Sequence, residues 1–155
     1  MAYDAHEDGR RDFHFLYGRW QVAHRRLKAR GEGCAEWTEF HGTSFCQGQM
    51  GGLVNIDEYD LGDLGHGLAI RSFDVEACRW AIHWIGASGV LEPPVVGRFD
   101  GGTGLFLGED VDRGRAVRVR YLWEGIAAGS ARWSQAFSYD GGETWETNWI
   151  MDFTR

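Results

Sequence analysis

The sequence predicts an all-β fold, a single antiparallel meander of about ten strands closed into a β-barrel. Three observations predict it. From Arg19 onward apolar and polar residues alternate with period two, the pattern of half-buried strands. The chain holds 23 Gly and two Pro, a balance that suits short strands and tight turns and weakens helices. Every candidate amphipathic helix of about a dozen residues is interrupted by an internal Gly.

The elements follow in order. A polar lead, residues 1–12, precedes Phe13–Tyr17, where a short helical turn is expected to end at Gly18. Strands are expected at Trp20–Lys28, Ala35–Phe45, Gly52–Tyr59, Gly67–Phe73 and Trp80–Ile85. The second half adds Val95–Phe99, Gly104–Leu107, Ala116–Glu124, Ala131–Ser138 and Thr147–Thr154. Connections are short and turn-forming, as in Arg30-Gly31-Glu32-Gly33, Asp100-Gly101-Gly102 and Asp140-Gly141-Gly142. The Gly-rich stretch Gly48–Gly52 reads as a bend or bulge. Pro93-Pro94, after Leu91-Glu92, reads as a rigid loop at a barrel mouth. Consecutive hairpins favour a meander, and closure removes the exposed edges of an open sheet.

A chain of 155 residues suits one domain, here residues 1–155, with a full core. Its 43% hydrophobic content is ordinary, but 14% aromatic residues with eight Trp is high. A net charge of -7 argues against nucleic acid or an anionic membrane as partner, since both need a basic face. The arginines of Arg113–Arg120 read as a solvated strand face. The start, Met1–Asp12, shows no apolar run of a secretory signal, and no run of about 18 apolar residues exists. Cys34, Cys46 and Cys78 are odd in number and lack metal spacing, so reduced thiols in the cytoplasm are expected. Gly-x-Ser-x-Gly, a P-loop and a strand-borne Gly-x-Gly-x-x-Gly are all missing from the sequence.

Phe15-Leu16-Tyr17-Gly18-Arg19-Trp20 resembles the Gly-x-Trp signature of the calycins, the lipocalin and fatty-acid-binding-protein group. The resemblance implies that Trp20 plugs one barrel end and that a late basic residue, Arg155 by position, packs over it. His24-Arg25-Arg26-Leu27, Asn55-Ile56-Asp57-Glu58-Tyr59, Leu91-Glu92-Pro93-Pro94-Val95 and Ser130-Ala131-Arg132-Trp133 resemble an uncharacterised bacterial family of calycin-like proteins. The run from Ser138 to Trp145, with Asn148-Trp149, belongs with them. This resemblance spans nearly the whole chain and implies the fold, with no catalytic residues to carry over. One calycin branch, the nitrobindins, holds haem through a late-strand histidine. No His follows His83 here, so no cofactor is implied. Ser138-Tyr139-Asp140-Gly141-Gly142-Glu143-Thr144-Trp145 also matches the Asp-box of sialidase propellers. As a lone copy it reads as a structural hairpin in which Asp140 bonds turn amides and Trp145 packs beneath.

The chemistry-bearing candidates fall into two sets. If the first hairpin turns on Gly31 and Glu32, His24 opposes Glu39, Arg26 opposes Trp37 and Val22 opposes His41, all on the face of Trp20. A register shift of one residue would break this cluster. Three readings compete for it: a structural His24–Glu39 or Arg26–Glu39 bond, a ligand anchor, or an acid–base pair or metal site. No familiar ligand spacing supports zinc. The second set is Arg71, His83, Arg118, Arg120, Gln135 and Asn148, polar residues that interrupt apolar strands, with Tyr59 and Trp84 as aromatic wall that would also suit a flat ligand. In the last hairpin, a turn on Gly141 and Gly142 sets Gln135 opposite Asn148 and Trp133 near Ile150.

The function expected is binding of a small, mainly apolar molecule with a polar or acidic group inside the barrel. Two alternatives stay open. One is a cofactor-free isomerase or cyclase using His24 and Glu39 for proton transfer. The other is a solidly packed structural barrel, dimeric through an aromatic outer strand.

Overall fold

The computed structural model describes residues 8–155. They form a closed, wholly antiparallel ten-strand barrel in which each strand pairs with its neighbours in sequence and β1 closes on β10. The strands are β1 (Gly18–Leu27), β2 (Trp37–Gln49), β3 (Val54–Asp60), β4 (His66–Asp74) and β5 (Arg79–Ile85). They continue as β6 (Val95–Asp100), β7 (Thr103–Asp112), β8 (Arg115–Ala127), β9 (Ser130–Ser138) and β10 (Glu146–Thr154). The meander is therefore as the sequence predicts, and the expected N-terminal turn is a 3-10 turn at His14–Leu16. Gly48–Gly52 bends as expected, through a 3-10 turn at Met50–Gly52. A further 3-10 turn, Gly62–Leu64, joins β3 to β4.

Alternation sends every second side chain inward, and the inward set is rich in aromatic residues. One end of the barrel is sealed. Phe13 and Leu16, both fully buried, plug it against Trp80, Phe106 and Trp123. Trp20 lies at this end, donating its indole N–H to the Leu16 carbonyl at 2.9 Å. The Arg155 guanidinium stacks on the Trp20 ring at 3.8 Å and donates to the carbonyls of Phe15 and Tyr17. Trp80 likewise donates to the Gly9 carbonyl at 2.9 Å.

The other end is the mouth, ringed by the β1–β2, β3–β4, β5–β6, β7–β8 and β9–β10 connections. Along the wall, β5 and β6 make the shortest joint, pairing only Trp80–Gly97, Ala81–Val96 and Ile82–Val95. Gly97 is required there, because a Cβ at this position would run into the Leu105 carbonyl of β7.

Two register expectations are corrected. The first hairpin pairs His24 with Phe40, Arg26 with Thr38 and Val22 with Gly42, one residue away from the expected register. Pairing ends at Lys28 and Glu36, so residues 29–35 form a broad loop instead of a tight turn on Gly31 and Glu32. Tertiary contacts hold that loop open: Gly31 N–H donates to Glu146 at 2.8 Å, Arg113 to Glu32 at 3.2 Å, and Arg115 to the Gly31 carbonyl. In the last hairpin a bulge between Thr147 and Trp149 shifts the pairing beyond it, so Trp133 opposes Met151 instead of Ile150. The turn itself is as expected, with Asp140 accepting from the Thr144 amide at 2.9 Å and from its hydroxyl.

Candidate functional site: the barrel interior and its mouth

Because the first hairpin is shifted by one residue, its polar cluster is divided by the barrel wall. His24 points inward and is 1% exposed. Glu39 and His41 point outward, and Glu39 faces Arg25 at 3.5 Å. The expected His24–Glu39 pair is thus not formed. Trp37 is also outside, beneath the Arg25 guanidinium at 5.0 Å. His83 lies on the outer face, its Nδ1 3.2 Å from the Glu92 carbonyl, and Arg118 is half-buried beside the last hairpin. Inside, the fold gathers His24, Tyr59, Arg71, Trp84 and Gln135, with Arg26 at the mouth and Asn148 buried in the bulge.

His24 sits in an aromatic sleeve. Its ring stacks on Phe40, centroids 4.4 Å apart and nearly parallel, and its Nδ1 accepts the Trp149 indole N–H at 3.0 Å. That bond fixes the tautomer, leaving the proton on Nε2, which has no partner among the described residues. Burial first, then the charge of Arg26 and the proximity of His41, pushes the imidazole down to about 4. At neutral pH His24 is therefore a neutral acceptor that anchors Trp149, without the carboxylate a proton-transfer pair would need.

Toward the sealed end lies a buried charge network. Arg71, on β4, donates to Asn55 at 2.8 Å and to Asp57 at 3.0 Å, both on β3. Tyr59 donates to the same Asp57 oxygen at 2.6 Å. The guanidinium lies over the Phe13 ring at 4.9 Å. Burial pushes the Asp57 carboxyl upward against the opposing pull of Arg71 and Tyr59, whereas Asp57 helps hold Arg71 charged. Burial, with Asp57 second, pushes the Tyr59 hydroxyl well above the ordinary phenol range. Asn55 and Asp57 were not among the sequence candidates. An Asn-x-Asp-x-Tyr alternation beside apolar Val54 and Ile56 reads as a solvent face, and no local signal in the sequence marks it as the inner one.

Between network and mouth, Arg71, Tyr121, Trp123, Trp133, Trp149 and Met151 help line a small cavity of about 30 Å³. That is room for about two water molecules. Above it the mouth opens as a depression of about 310 Å³, lined by Arg26, Arg30, Leu61, Leu64, Glu92, Asp110 and their neighbours. Trp84, Gln135 and Trp149 line both spaces, so they are the roof of one and the floor of the other. Trp149 packs edge-on against Trp84 and Trp133 at 5.7 and 5.6 Å, with the Arg26 guanidinium 4.5 Å above its ring. Gln135 donates to Asn148 at 2.7 Å across the bulge, so the expected proximity of these two is kept although their backbones are not paired.

Burial, then the charge of Arg30, lowers the Arg26 pKa. Arg30 lies over Phe137 at 5.2 Å. Loss of hydration first, then the charge of Asp110, raises Glu92 while Arg30 pulls it the other way. The depression therefore carries cations and carboxylates around an aromatic floor. Among the described residues no three His, Cys, Asp or Glu side chains gather as a metal-binding set. The three cysteines are free thiols, with Cys46 buried and pushed up to about 12 by its burial. No helix among the described residues is long and apolar enough to cross a membrane. No protein-family model matches the chain, and no curated protein matches it.

Proposed function

We propose that this barrel, calycin-like in its Trp20 plug under Arg155, binds a small, mainly apolar molecule that carries an acidic group. The mouth is its seat. The observation that carries the reading is the shared partition: Trp84, Gln135 and Trp149 floor a concave space of about 310 Å³, within the size range of small-ligand sites. Aromatic faces give rigid stacking surface at low entropic cost. Arg26 and Arg30 stand at that floor, stacked on Trp149 and Phe137, as receptors for the acid.

A titration with anilinonaphthalene sulfonate, a flat apolar anion, tests the proposal. Saturable one-to-one binding is expected, weakened about tenfold by Arg26→Ala, the order of one charge-assisted contact, and unchanged by the outward Glu39→Ala. Absence of saturable binding, or equal affinity in Arg26→Ala, would overturn it. The second reading is a packed structural barrel, favoured by the small volume of the interior cavity. That reading predicts no saturable binding and an effect of interior substitutions on stability alone.

A further inference from the structure

Cations and carboxylates line the same mouth depression, and four of them, Arg26, Arg30, Glu92 and Asp110, form no ion pair among the described residues. Arg26 and Arg30 lie over aromatic rings, and neither forms an ion pair among the described residues. Other arginines do find carboxylates: Arg71 with Asp57, Arg132 with Asp152 and Arg113 with Glu32 and Asp112. Glu92, though exposed, lines the same depression and likewise has no ion-pair or hydrogen-bond partner for its carboxylate among the described residues. Its backbone is fixed nonetheless, the Glu92 N–H donating to the Trp84 carbonyl at 2.9 Å and its carbonyl facing His83. Asp110 stands close enough to disfavour the charge on Glu92, and Arg30 close enough to favour it. Asp110 accepts the adjacent Val111 amide at 2.7 Å, whereas Asp112, the remaining acid of the depression, is engaged by the Tyr139 hydroxyl at 2.7 Å and by the cation of Arg113.

Two guanidiniums near each other repel, and so do two carboxylates. A ligand with one charge relieves only one of these contacts and brings its own charge near the like-signed group. A ligand with both charges relieves both and spans the aromatic floor between them. We propose that the mouth is built for an amphoteric aromatic molecule of amino-acid size. Its acid binds Arg26 and Arg30, its amine binds Glu92 and Asp110, and its ring lies against Trp84 and Trp149. This rests on the mouth as the binding seat and adds the amine to the ligand proposed there.

Calorimetric titration of the full chain with three probes of one ring system tests it: indolepropionate, tryptophan and tryptamine. Tryptophan is expected to bind at least tenfold more tightly than indolepropionate. Glu92→Gln should remove that advantage, weakening tryptophan while indolepropionate binds at least as tightly as before, and Asp110→Asn should shrink it. Equal affinities for tryptophan and indolepropionate, or an advantage that survives Glu92→Gln, would overturn the amine site and leave the acid-binding reading standing. If indolepropionate and anilinonaphthalene sulfonate both fail to bind, the mouth reading itself falls, and this inference with it. Tryptamine binding as well as tryptophan would remove Arg26 and Arg30 from the site and overturn the amphoteric assignment.

Discussion

The neutral, buried His24 makes the fold sensitive to mild acid, and the size of the effect follows from its surroundings. An unfolded chain protonates this imidazole near 6.5, whereas the folded protein holds it down to about 4. The folded pKa is the lower one, so the unfolded state binds more protons between these values. Stability from this group is fully present above about pH 6.5 and is lost as the pH falls toward 4. Integrating over that window gives a loss of about 2 kcal/mol between pH 7 and pH 5, and about 3 kcal/mol by pH 4. His24 is 1% exposed, so little solvent screening discounts these figures. Carboxylates also titrate in this range, so the informative quantity is a difference. His24→Gln keeps an acceptor for the Trp149 indole but does not titrate. Urea unfolding of both proteins at pH 7, 6 and 5 should show the wild type losing about 2 kcal/mol more than the variant. Parallel pH profiles, differing by less than about 0.5 kcal/mol, would refute a buried neutral His24.

Three further outcomes follow from the geometry. Arg71→Met leaves Asp57, fully buried, without its cation and should cost about 3–5 kcal/mol in urea unfolding. Adding Asp57→Leu should restore part of that loss, and a double variant no more stable than the single would show that the two do not act as a pair. Gly97→Ala drives a methyl into the Leu105 carbonyl and should destabilise by about 1–3 kcal/mol, so an unchanged melting temperature would contradict the close approach. Asp140, exposed in its turn, is pulled down to about 2 by the Thr144 hydroxyl and amide and by Ser138. Its stabilising effect is present above the unfolded value of 3.8 and fades as the pH drops toward 2. A carboxyl-carbon NMR titration should place its midpoint near 2 and, in Thr144→Val, closer to the ordinary value.

The strands were legible because period-two alternation and glycine punctuation are local, and each acts within a few residues. The Asp140 turn was legible for the same reason, since its bonds close within the hairpin. Registers were not. The β1–β2 loop spans residues 29–35 because Arg113, Arg115 and Glu146, distant in sequence, hold it, and no local pattern encodes that. One residue of slip then exchanged the faces of Glu39 and His41 with those of Phe40 and Gly42. The site was partly legible: Tyr59, Arg71, Trp84 and Gln135 do meet inside. Asp57 was missed because a buried carboxylate is recognisable only once Arg71 and Tyr59 are seen to close around it. Glu92 and Arg30 were missed as site residues because they sit in connections, where charge ordinarily means solvation.

A closed barrel behaves as a hoop of staves, and its strength is that of its weakest joint. That joint is β5–β6, where pairing runs only from Trp80 to Ile82 against Val95 to Gly97. Elsewhere the ladders are longer, as between β1 and β2 or β7 and β8. Opening along this line parts the cylinder into a curved sheet with β5 and β6 as its two bare borders, still tethered by residues 86–94. Each border then offers an unsatisfied row of amides and carbonyls to the matching border of another copy. The segment carrying Glu92 closes the mouth end of that line, Leu91 bridging to Ile85 and the Glu92 N–H donating to the Trp84 carbonyl, so an occupant that orders Glu92 would brace the hoop where its joint is shortest.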